Sequence, residues 1–161
     1  LYFIPGSGWR ELIHRFKYDG AWRLARDMGV WYGHCLADSG LYDTVDRIVP
    51  VPLHWRKRLR RGYNQAEVFA EKLAEEMELP MNARLIRRVK KTKRQKELGP
   101  AERRKNLEGA FALAKPGQMK YCRILLVDDI YTTGSTVDAI ASLLKVNGAE
   151  QVDFVCAAIV K

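Results

Sequence analysis

The sequence predicts an α/β domain in which helices flank a mostly parallel central sheet. Short apolar runs rich in β-branched residues alternate with stretches of helical periodicity, the order expected of such a sheet. The most apolar run, RILLVDD at residues 123–129, leads into a glycine-containing turn and then into another helical pattern. With 161 residues, 47% of them apolar and 29% charged, the chain fits one domain with a single core.

This single domain, residues 1–161, divides by pattern into a helical part over 1–43 and a core over 44–161. In the helical part, apolar residues recur at helical spacing over 9–18, and a second helix is predicted over 21–38. No basic region precedes an apolar stretch at the N-terminus, and no apolar run approaches the roughly 20 residues that span a bilayer. We therefore expect a cytoplasmic protein without membrane insertion.

The core begins with a strand, VDRIVPVP at 45–52, that runs into a loop punctuated by prolines. Asn64 stands where it can cap the next helix, and Leu79-Pro80 ends that helix. The inward face of this helix is apolar and consists of Ala66, Phe69, Ala70, Leu73, Ala74 and Met77.

A further pair of strands is predicted at 84–89 and 109–114, with a long polar segment between them. A polar connection of about 20 residues is uncommon in a compact domain unless it is functional. We therefore expect a long flexible basic flap over 90–105.

The last third of the chain predicts a strand, a helix and a strand. The buried strand at 123–129 precedes a helix over about 134–145, for which Gly148 is the C-terminal stop. Residues 152–160 have the composition of a last buried strand.

Positive charge is concentrated in two segments of the chain, which carries 28 basic and 19 acidic side chains, a net charge of +9. Residues 56–61 hold five basic side chains and no acidic one, and residues 84–105 hold eleven basic and two acidic ones. Together these segments carry +14, which leaves −5 for the rest of the chain. This distribution favours a polyanionic partner, either a nucleic acid or a small molecule with a pyrophosphate group, although solvated surface loops have the same composition.

The cysteines and histidines do not form a metal-binding pattern. Cys35, Cys122 and Cys156 are far apart, and each lies in an apolar context, so we expect buried free thiols in a reducing cytoplasm. The histidines, at positions 14, 34 and 54, are scattered as well. No structural zinc is predicted.

The segment LLVDDIYTTGST at 125–136 holds the most specific candidate site. In an open α/β sheet, ligands bind beyond the carboxyl ends of the strands, and here Asp128 and Asp129 leave a buried strand at that edge. Gly134 permits a tight turn and a close approach of the backbone to a ligand. The amides of the turn and of the helix N-terminus suit a phosphate. Hydroxyl groups surround them on Thr132, Thr133, Ser135 and Thr136.

Two adjacent carboxylates suit the vicinal hydroxyls of a sugar, or magnesium held through water. Beside a phosphate site, they predict a pocket for ribose 5-phosphate. Other phosphate motifs fail. GxxxxGK[ST] is absent, and in Gly6-Ser7-Gly8 the third glycine of a dinucleotide fingerprint is replaced by Glu11.

Residues 124–136 resemble the thirteen-residue motif with which type I phosphoribosyltransferases bind phosphoribosyl pyrophosphate (PRPP). Tyr131 stands where that motif usually has an aliphatic residue, and a tyrosine there is similar to the ComF family, the competence-associated branch of this fold. RELIHRFKYDG at 10–20 and VPVPLHWRKRLRRGYNQAE at 49–67 support this narrower resemblance. A spaced pattern extends it over nearly the whole chain: Thr92, Gln95, Leu98, Arg103, Asn106, Gly109, Ala110 and Phe111.

The resemblance implies a type I phosphoribosyltransferase fold and a set of roles. Asp128 and Asp129 would bind the ribose hydroxyls, and residues 132–136 would bind the 5-phosphate, with Mg²⁺ arriving together with PRPP. A pyrophosphate loop, often with an unusual peptide geometry, would consist of Val51, Pro52, Leu53, His54 and Arg56. The mobile loop over the reacting centre would be 90–105, with the family residues Thr92, Gln95, Arg103 and Asn106. Five more residues match the family signature without separate roles: Arg60, Gly62, Tyr63, Asn64 and Gln65.

ComF proteins usually carry a cysteine-rich zinc-binding segment before the region that begins here. The sequence contains no CxxC, so we expect that this segment is either lost from the protein or lies outside this sequence. The zinc-dependent part of the family's behaviour is therefore not implied for this chain.

Three functional interpretations remain open. In the first interpretation, the chain is an enzyme, a glycosyltransferase of nucleotide metabolism that transfers phosphoribosyl from PRPP to an unidentified nitrogenous acceptor. Alternatively, it is a ComF-type accessory protein for DNA uptake or processing that binds single-stranded DNA without turnover, or a regulator that senses PRPP. The basic segments do not separate these interpretations, because pyrophosphate and a DNA backbone require the same charges.

Overall fold

The computed structural model describes residues 22–90, 107–115 and 122–159. The helices and strands, in chain order, are α1 (Trp22–Ser39), β1 (Arg47–Pro50), α2 (Trp55–Arg61), α3 (Gln65–Glu76), β2 (Ile86–Arg88), β3 (Phe111–Leu113), β4 (Arg123–Tyr131), α4 (Ser135–Val146) and β5 (Gln151–Ile159). The predicted helix over 9–18 lies outside the described residues. So does nearly all of the predicted basic flap, with Thr92, Gln95, Arg103 and Asn106.

The main sheet is parallel, as the sequence predicts. In the described part of the chain it has three strands in the order β1-β4-β5, with β4 at the centre. β1 pairs with β4 from Arg47↔Ile124 to Pro50↔Val127, and β4 pairs with β5 from Arg123↔Gln151 to Tyr131↔Ile159. Because all three strands run in the same direction, their carboxyl ends meet at one edge of the sheet.

The central strand is buried on both faces of the sheet. The side chains of Ile124 to Val127 have no solvent exposure, and they alternate between two apolar clusters. Ile124 and Leu126 belong to one cluster with residues of α4, β2 and β3, and we call this side the hairpin face. Leu125 and Val127 belong to the other cluster with residues of α1 and α3, the helix-pair face. A strand covered on both faces needs a continuous apolar run, which explains the sequence RILLV.

The strands β2 and β3 form a separate antiparallel pair, with Ile86 opposite Leu113 and Arg88 opposite Phe111. The predicted return of the chain at 109–114 is therefore confirmed. Leu85, Ile86 and Phe111 are buried in the hairpin-face cluster, so this hairpin covers one side of the sheet.

The helices α1 and α3 pack closely because α1 carries two glycines on its inner side. A Cβ atom at Gly29 would lie 2.6 Å from the carbonyl oxygen of Phe69, and one at Gly33 would lie 2.5 Å from the Cβ atom of Glu76. The two backbones can approach this closely only where one helix has no side chain. The apolar face predicted for α3 is confirmed, since Ala66, Phe69, Ala70, Leu73 and Ala74 are buried.

Three sequence-based expectations differ from the structure. β4 continues to Tyr131, so Asp128 and Asp129 lie within the strand rather than beyond it, because β5 still pairs with β4 there. Cys35 is exposed rather than buried, although all three cysteines are free thiols, because α1 turns this position away from α3. The pyrophosphate loop was expected to have an unusual peptide geometry, but no cis peptide bond occurs in the described residues. No described helix is long and apolar enough to cross a membrane.

We expect Gly29→Ala to lower the free energy of unfolding by about 1–3 kcal/mol, because the new methyl group meets a backbone carbonyl that cannot move aside. Gly33→Ala tests the second close approach. There the nearest atom is the Cβ atom of Glu76 at 2.5 Å, whose position the α3 backbone fixes, so we expect a loss of the same order. Urea unfolding measures both. An increase in stability for Gly29→Ala, as helix propensity alone would give, would contradict the close packing.

Candidate functional site

The carboxyl edge of the sheet brings together two segments that are distant in the sequence. β1 ends at Pro50 beside Val127, and the amide of Val51 donates a hydrogen bond of 2.8 Å to the carbonyl oxygen of Val127. The loop 51–54 therefore starts directly beside Asp128. The predicted pyrophosphate loop and the predicted acid pair are neighbours in the structure.

The acid pair is fixed by bonds to its own backbone. The Oδ1 atom of Asp128 accepts a hydrogen bond of 2.8 Å from the amide of Asp129, and the Oδ1 atom of Asp129 accepts one of 2.8 Å from the amide of Ile130. Both residues are half-buried. These bonds limit the rotation of both carboxylates at the end of the central strand.

The turn after β4 has the predicted form. Gly134 has a left-handed backbone, with φ of 75°, and a Cβ atom there would lie 2.7 Å from the hydroxyl oxygen of Tyr131. The carbonyl of Gly134 accepts the first helical bond of α4, from the amide of Asp138 at 2.8 Å. Thr132 and Thr133 are exposed, and the hydroxyl groups of Thr133 and Ser135 lie 3.1 Å apart. The first amides of α4 have no acceptor within the helix, so the turn suits a phosphate.

Tyr131, which departs from the usual motif, has a packing role. Its ring contacts Gly134 on one side and lies 5.3 Å from the ring of Phe154 in β5, measured between centroids. The tyrosine ring thus packs between Phe154 and the turn, and an aliphatic side chain at this position would be shorter.

The loop 51–54 leads into the short helix α2 through a histidine cap. The Nδ1 atom of His54 accepts a hydrogen bond of 3.3 Å from the amide of Arg56, and His54 is buried. The carbonyl of His54 accepts helical bonds from Lys57 and Arg58. His54 therefore fixes the direction in which the basic helix leaves the carboxyl edge.

Asn64 has a role that the sequence did not predict. It occupies the N-cap position of α3, but its side chain makes no cap hydrogen bond. Instead its Nδ2 atom donates a hydrogen bond of 3.0 Å to the carbonyl oxygen of Val51, and this contact is buried. The predicted N-cap position is confirmed, but the expected side-chain cap is absent, because the bond from Nδ2 turns the side chain toward loop 51–54.

The other signature residues have different surroundings. Gln65 is buried, and its Oε1 atom accepts a hydrogen bond of 3.2 Å from Nη1 of Arg61. Gly62, with φ of 81°, ends α2. Tyr63 lies elsewhere, in a groove of about 370 Å³ between α1 and α3. Arg60 is exposed.

The helix α2 presents an exposed surface of cations with two apolar residues. Trp55 is 57% exposed and Leu59 is 76% exposed, and the guanidinium carbon of Arg56 lies 5.0 Å from the centre of a Trp55 ring. Arg58 is held to α3 by an ion pair of 2.8 Å with Glu67. Because α2 follows loop 51–54 directly, this charge lies beside the candidate site.

Sequence reasoning missed Arg88 as an individual residue, since it was one of eleven basic residues in its segment. Its guanidinium carbon lies 5.4 Å from the centre of the Phe111 ring. Burial lowers the pKa of Arg88, and the negative charge of Asp128 acts in the opposite direction. The available signal was its alternation with buried Ile86, which puts both side chains on one face of β2.

Cys156 is a second group near the acid pair, because β5 places it opposite Asp128. Burial raises the pKa of its thiol, and the charge of Asp128 raises it further. The thiol is therefore protonated near neutral pH and is a poor nucleophile.

The donor set restricts how a metal could bind. Within 22–90, 107–115 and 122–159, no group of three His, Cys, Asp or Glu side chains could hold an ion. The two carboxylates of the acid pair fit Mg²⁺, which takes oxygen ligands and is commonly held by one or two carboxylates together with substrate phosphates.

A family model for the phosphoribosyl transferase domain matches residues 64–159. Competence protein F of Haemophilus influenzae is 35% identical over 145 residues, which cover 88% of this chain and 63% of that protein. DNA utilization protein YhgH of Escherichia coli K12 is 36% identical over 149 residues, which cover 90% of this chain and 64% of that protein. Competence protein ComFC of Streptococcus pneumoniae is 29% identical over 150 residues, which cover 93% of this chain and 63% of that protein. The chain thus spans a little under two thirds of the length of these relatives.

Solved structures with low sequence identity share the fold. The allosteric regulatory enzyme of purine biosynthesis gives a TM-score of 0.53 at 21% identity, covering 83% of this chain and 25% of that one. A hypoxanthine phosphoribosyltransferase from Staphylococcus aureus gives a TM-score of 0.51 at 12% identity, covering 85% of this chain and 73% of that one. The family model over residues 64–159 and the relatives named above show that the chain belongs to the phosphoribosyl transferase domain family and, within it, to the ComF family.

Proposed function

We propose that this chain binds PRPP with Mg²⁺ and transfers the phosphoribosyl group to a nitrogenous acceptor. One observation carries the proposal: loop 51–54, the acid pair and the Gly134 turn meet at the same edge of the sheet. We assign the groups of PRPP to these three segments. The turn takes the 5-phosphate, Asp128 and Asp129 take the ribose hydroxyls, and loop 51–54 takes the pyrophosphate.

In the proposed reaction, the C1–O bond to pyrophosphate breaks and a C1–N bond to the acceptor forms, after which the acceptor nitrogen loses a proton. Negative charge gathers on the leaving pyrophosphate. We expect the amides of loop 51–54 and exposed guanidinium groups of α2 to stabilise this charge. Mg²⁺ bound with PRPP supplies further charge neutralisation, and Asp128 and Asp129 are the residues that would hold it.

The double variant Asp128→Asn/Asp129→Asn tests the acid pair. We expect it to weaken PRPP binding roughly tenfold or more, because it removes two charged acceptors of hydrogen bonds from the ribose hydroxyls. Isothermal calorimetry with PRPP and Mg²⁺ measures the affinity. Asp138→Asn is the control for the loss of one nearby carboxylate charge outside the acid pair, since this residue is exposed in the first turn of α4. Equal affinities for the double variant and the parent would refute the assignment.

Release of pyrophosphate distinguishes an enzyme from a PRPP sensor. A transferase releases pyrophosphate from PRPP in the presence of one member of a panel of bases and amines. A chain that binds PRPP and releases none across the panel is the sensor.

Asn64→Ala tests the pyrophosphate loop. Because the Asn64 side chain binds the carbonyl of Val51, we expect the substitution to weaken PRPP binding more than binding of ribose 5-phosphate, which has no pyrophosphate. The loss of one buried hydrogen bond corresponds to a change of about 1–3 kcal/mol. Asn82→Ala is the control for the loss of an asparagine side chain away from the site, where the Oδ1 atom of Asn82 accepts an exposed hydrogen bond from the amide of Arg84. Equal losses for both ligands would contradict the assignment.

A second function, the binding of single-stranded DNA in a competence role, is favoured by the helix α2. It presents Arg56, Arg60 and the exposed ring of Trp55 on one short helix, and aromatic rings beside cations stack on bases of single strands. The names of two relatives, Competence protein F and DNA utilization protein YhgH, agree with such a role. DNA phosphates and PRPP would then compete for the same charges.

Arg56→Ala/Arg60→Ala tests this function. We expect weaker binding of a fluorescent oligothymidylate, and a slope of log affinity against log salt that is smaller by about 1.4, the value for two lost phosphate contacts with a single strand. Arg23→Ala/Arg26→Ala removes two exposed cations from α1 and is the matched control. An unchanged slope for the α2 variant would exclude α2 as the DNA site.

A further inference from the structure

We propose that Arg88 is a positioning residue for the acid pair, which holds the carboxylate of Asp128 ready for the ribose hydroxyls. The inference rests on the proposed function and deepens it, because it assigns the ribose site a supporting residue from a different sheet. It is carried by the placement of Arg88 on the β2–β3 hairpin and by the direction of Asp128 in β4.

Arg88 is fixed on the hairpin by a stacking contact. It is the last residue of β2 and pairs with Phe111 of β3, and its guanidinium carbon lies 5.4 Å from the centre of the Phe111 ring. A guanidinium over an aromatic ring is attracted to it, more strongly when water is excluded. Since Ile86 lies in the hairpin-face cluster, alternation directs Arg88 to the same side.

Asp128 faces the hairpin from the sheet. The register between β4 and β5 is continuous from Arg123 to Asp128, so alternation puts Asp128 on the face of Ile124 and Leu126. These two residues share one apolar cluster with Ile86 and Phe111. The guanidinium and the carboxylate are thus directed into the same layer between the hairpin and the sheet.

The charges of the two groups support this arrangement. An arginine remains charged in a protein, and a nearby counter-charge offsets part of the free-energy cost of burying it. Burial lowers the pKa of Arg88 and the Asp128 carboxylate opposes that effect. The same interaction limits the motion of the carboxylate at the place where the ribose is expected.

Two substitutions separate the charge of Arg88 from its packing. Arg88→Met keeps an unbranched apolar side chain of similar length and removes the charge. Arg88→Lys keeps the charge and loses the planar group that stacks on Phe111. A packing role alone would tolerate methionine as well as lysine, whereas a charge role requires that lysine is the better replacement.

The test is a set of PRPP titrations in the presence of Mg²⁺. We expect Arg88→Met to weaken PRPP binding on the order of tenfold, the usual scale of coupling between contacting charged groups, and Arg88→Lys to weaken it less. In the Asp128→Asn background Arg88→Met should cause no further loss. In the Asp129→Asn background it should cause the full loss, because alternation directs Asp129 to the opposite face. An equal loss in all three backgrounds, or no loss in the parent, overturns the proposal.

A second cycle without ligand separates this proposal from the proposed function. Urea midpoints are measured for Arg88→Met, for each Asn variant and for the two combinations. A non-additive shift with Asp128→Asn and an additive one with Asp129→Asn supports the contact, even if the parent fails to bind PRPP and the proposed function is wrong. Additive shifts with both overturn it. The same cycle decides where an Asn background binds PRPP too weakly to titrate.

Discussion

The hydrogen bond from the amide of Val51 to the carbonyl of Val127 is the contact on which the candidate site depends. It continues the β1–β4 ladder by one residue beyond Pro50 and so places loop 51–54 against the acid pair. The ladder in turn is held by a central strand with no exposed side chain from Ile124 to Val127. The position of the polar groups is therefore set by apolar packing on both faces of the sheet.

The sequence predicted the parts of the site that are contiguous in the chain. The turn at Gly134 could be predicted because its left-handed backbone, with φ of 75°, is a local property for which glycine is the usual residue. The partner of Asn64 could not, because its side chain can satisfy either its own helix or a carbonyl 13 residues away, and only the assembled fold decides. Arg88 was hidden for a similar reason: its contact with Phe111 joins two strands that a long segment separates in the sequence. The length of β4 was underestimated because β5 continues to pair after β1 has ended.

Loop 51–54 and α2 are held in place by His54 and by two of the signature residues. His54 fixes the start of α2, Gly62 ends it, and Asn64 returns to bind the loop. A family signature of this kind reflects contacts within the protein more than contacts with a ligand. The spacing of the signature residues sets the length of α2, and α2 carries the charge beside the site. This spacing therefore identifies the branch of the fold.

The contact between Tyr131 and Gly134 restricts the order in which these positions can change during evolution. The Cβ atom of an alanine at 134 would lie 2.7 Å from the hydroxyl oxygen of Tyr131 and 3.2 Å from the nearest ring carbons, so the alanine fits more easily after a smaller residue has replaced the tyrosine. That earlier change removes the steric obstacle and leaves a second one, since a φ of 75° is unfavourable for any residue with a Cβ atom. A substitution at position 134 is therefore opposed by a steric contact, which a change at position 131 removes, and by a backbone conformation, which that change leaves in place. The glycine should outlast the tyrosine in lineages that keep the turn.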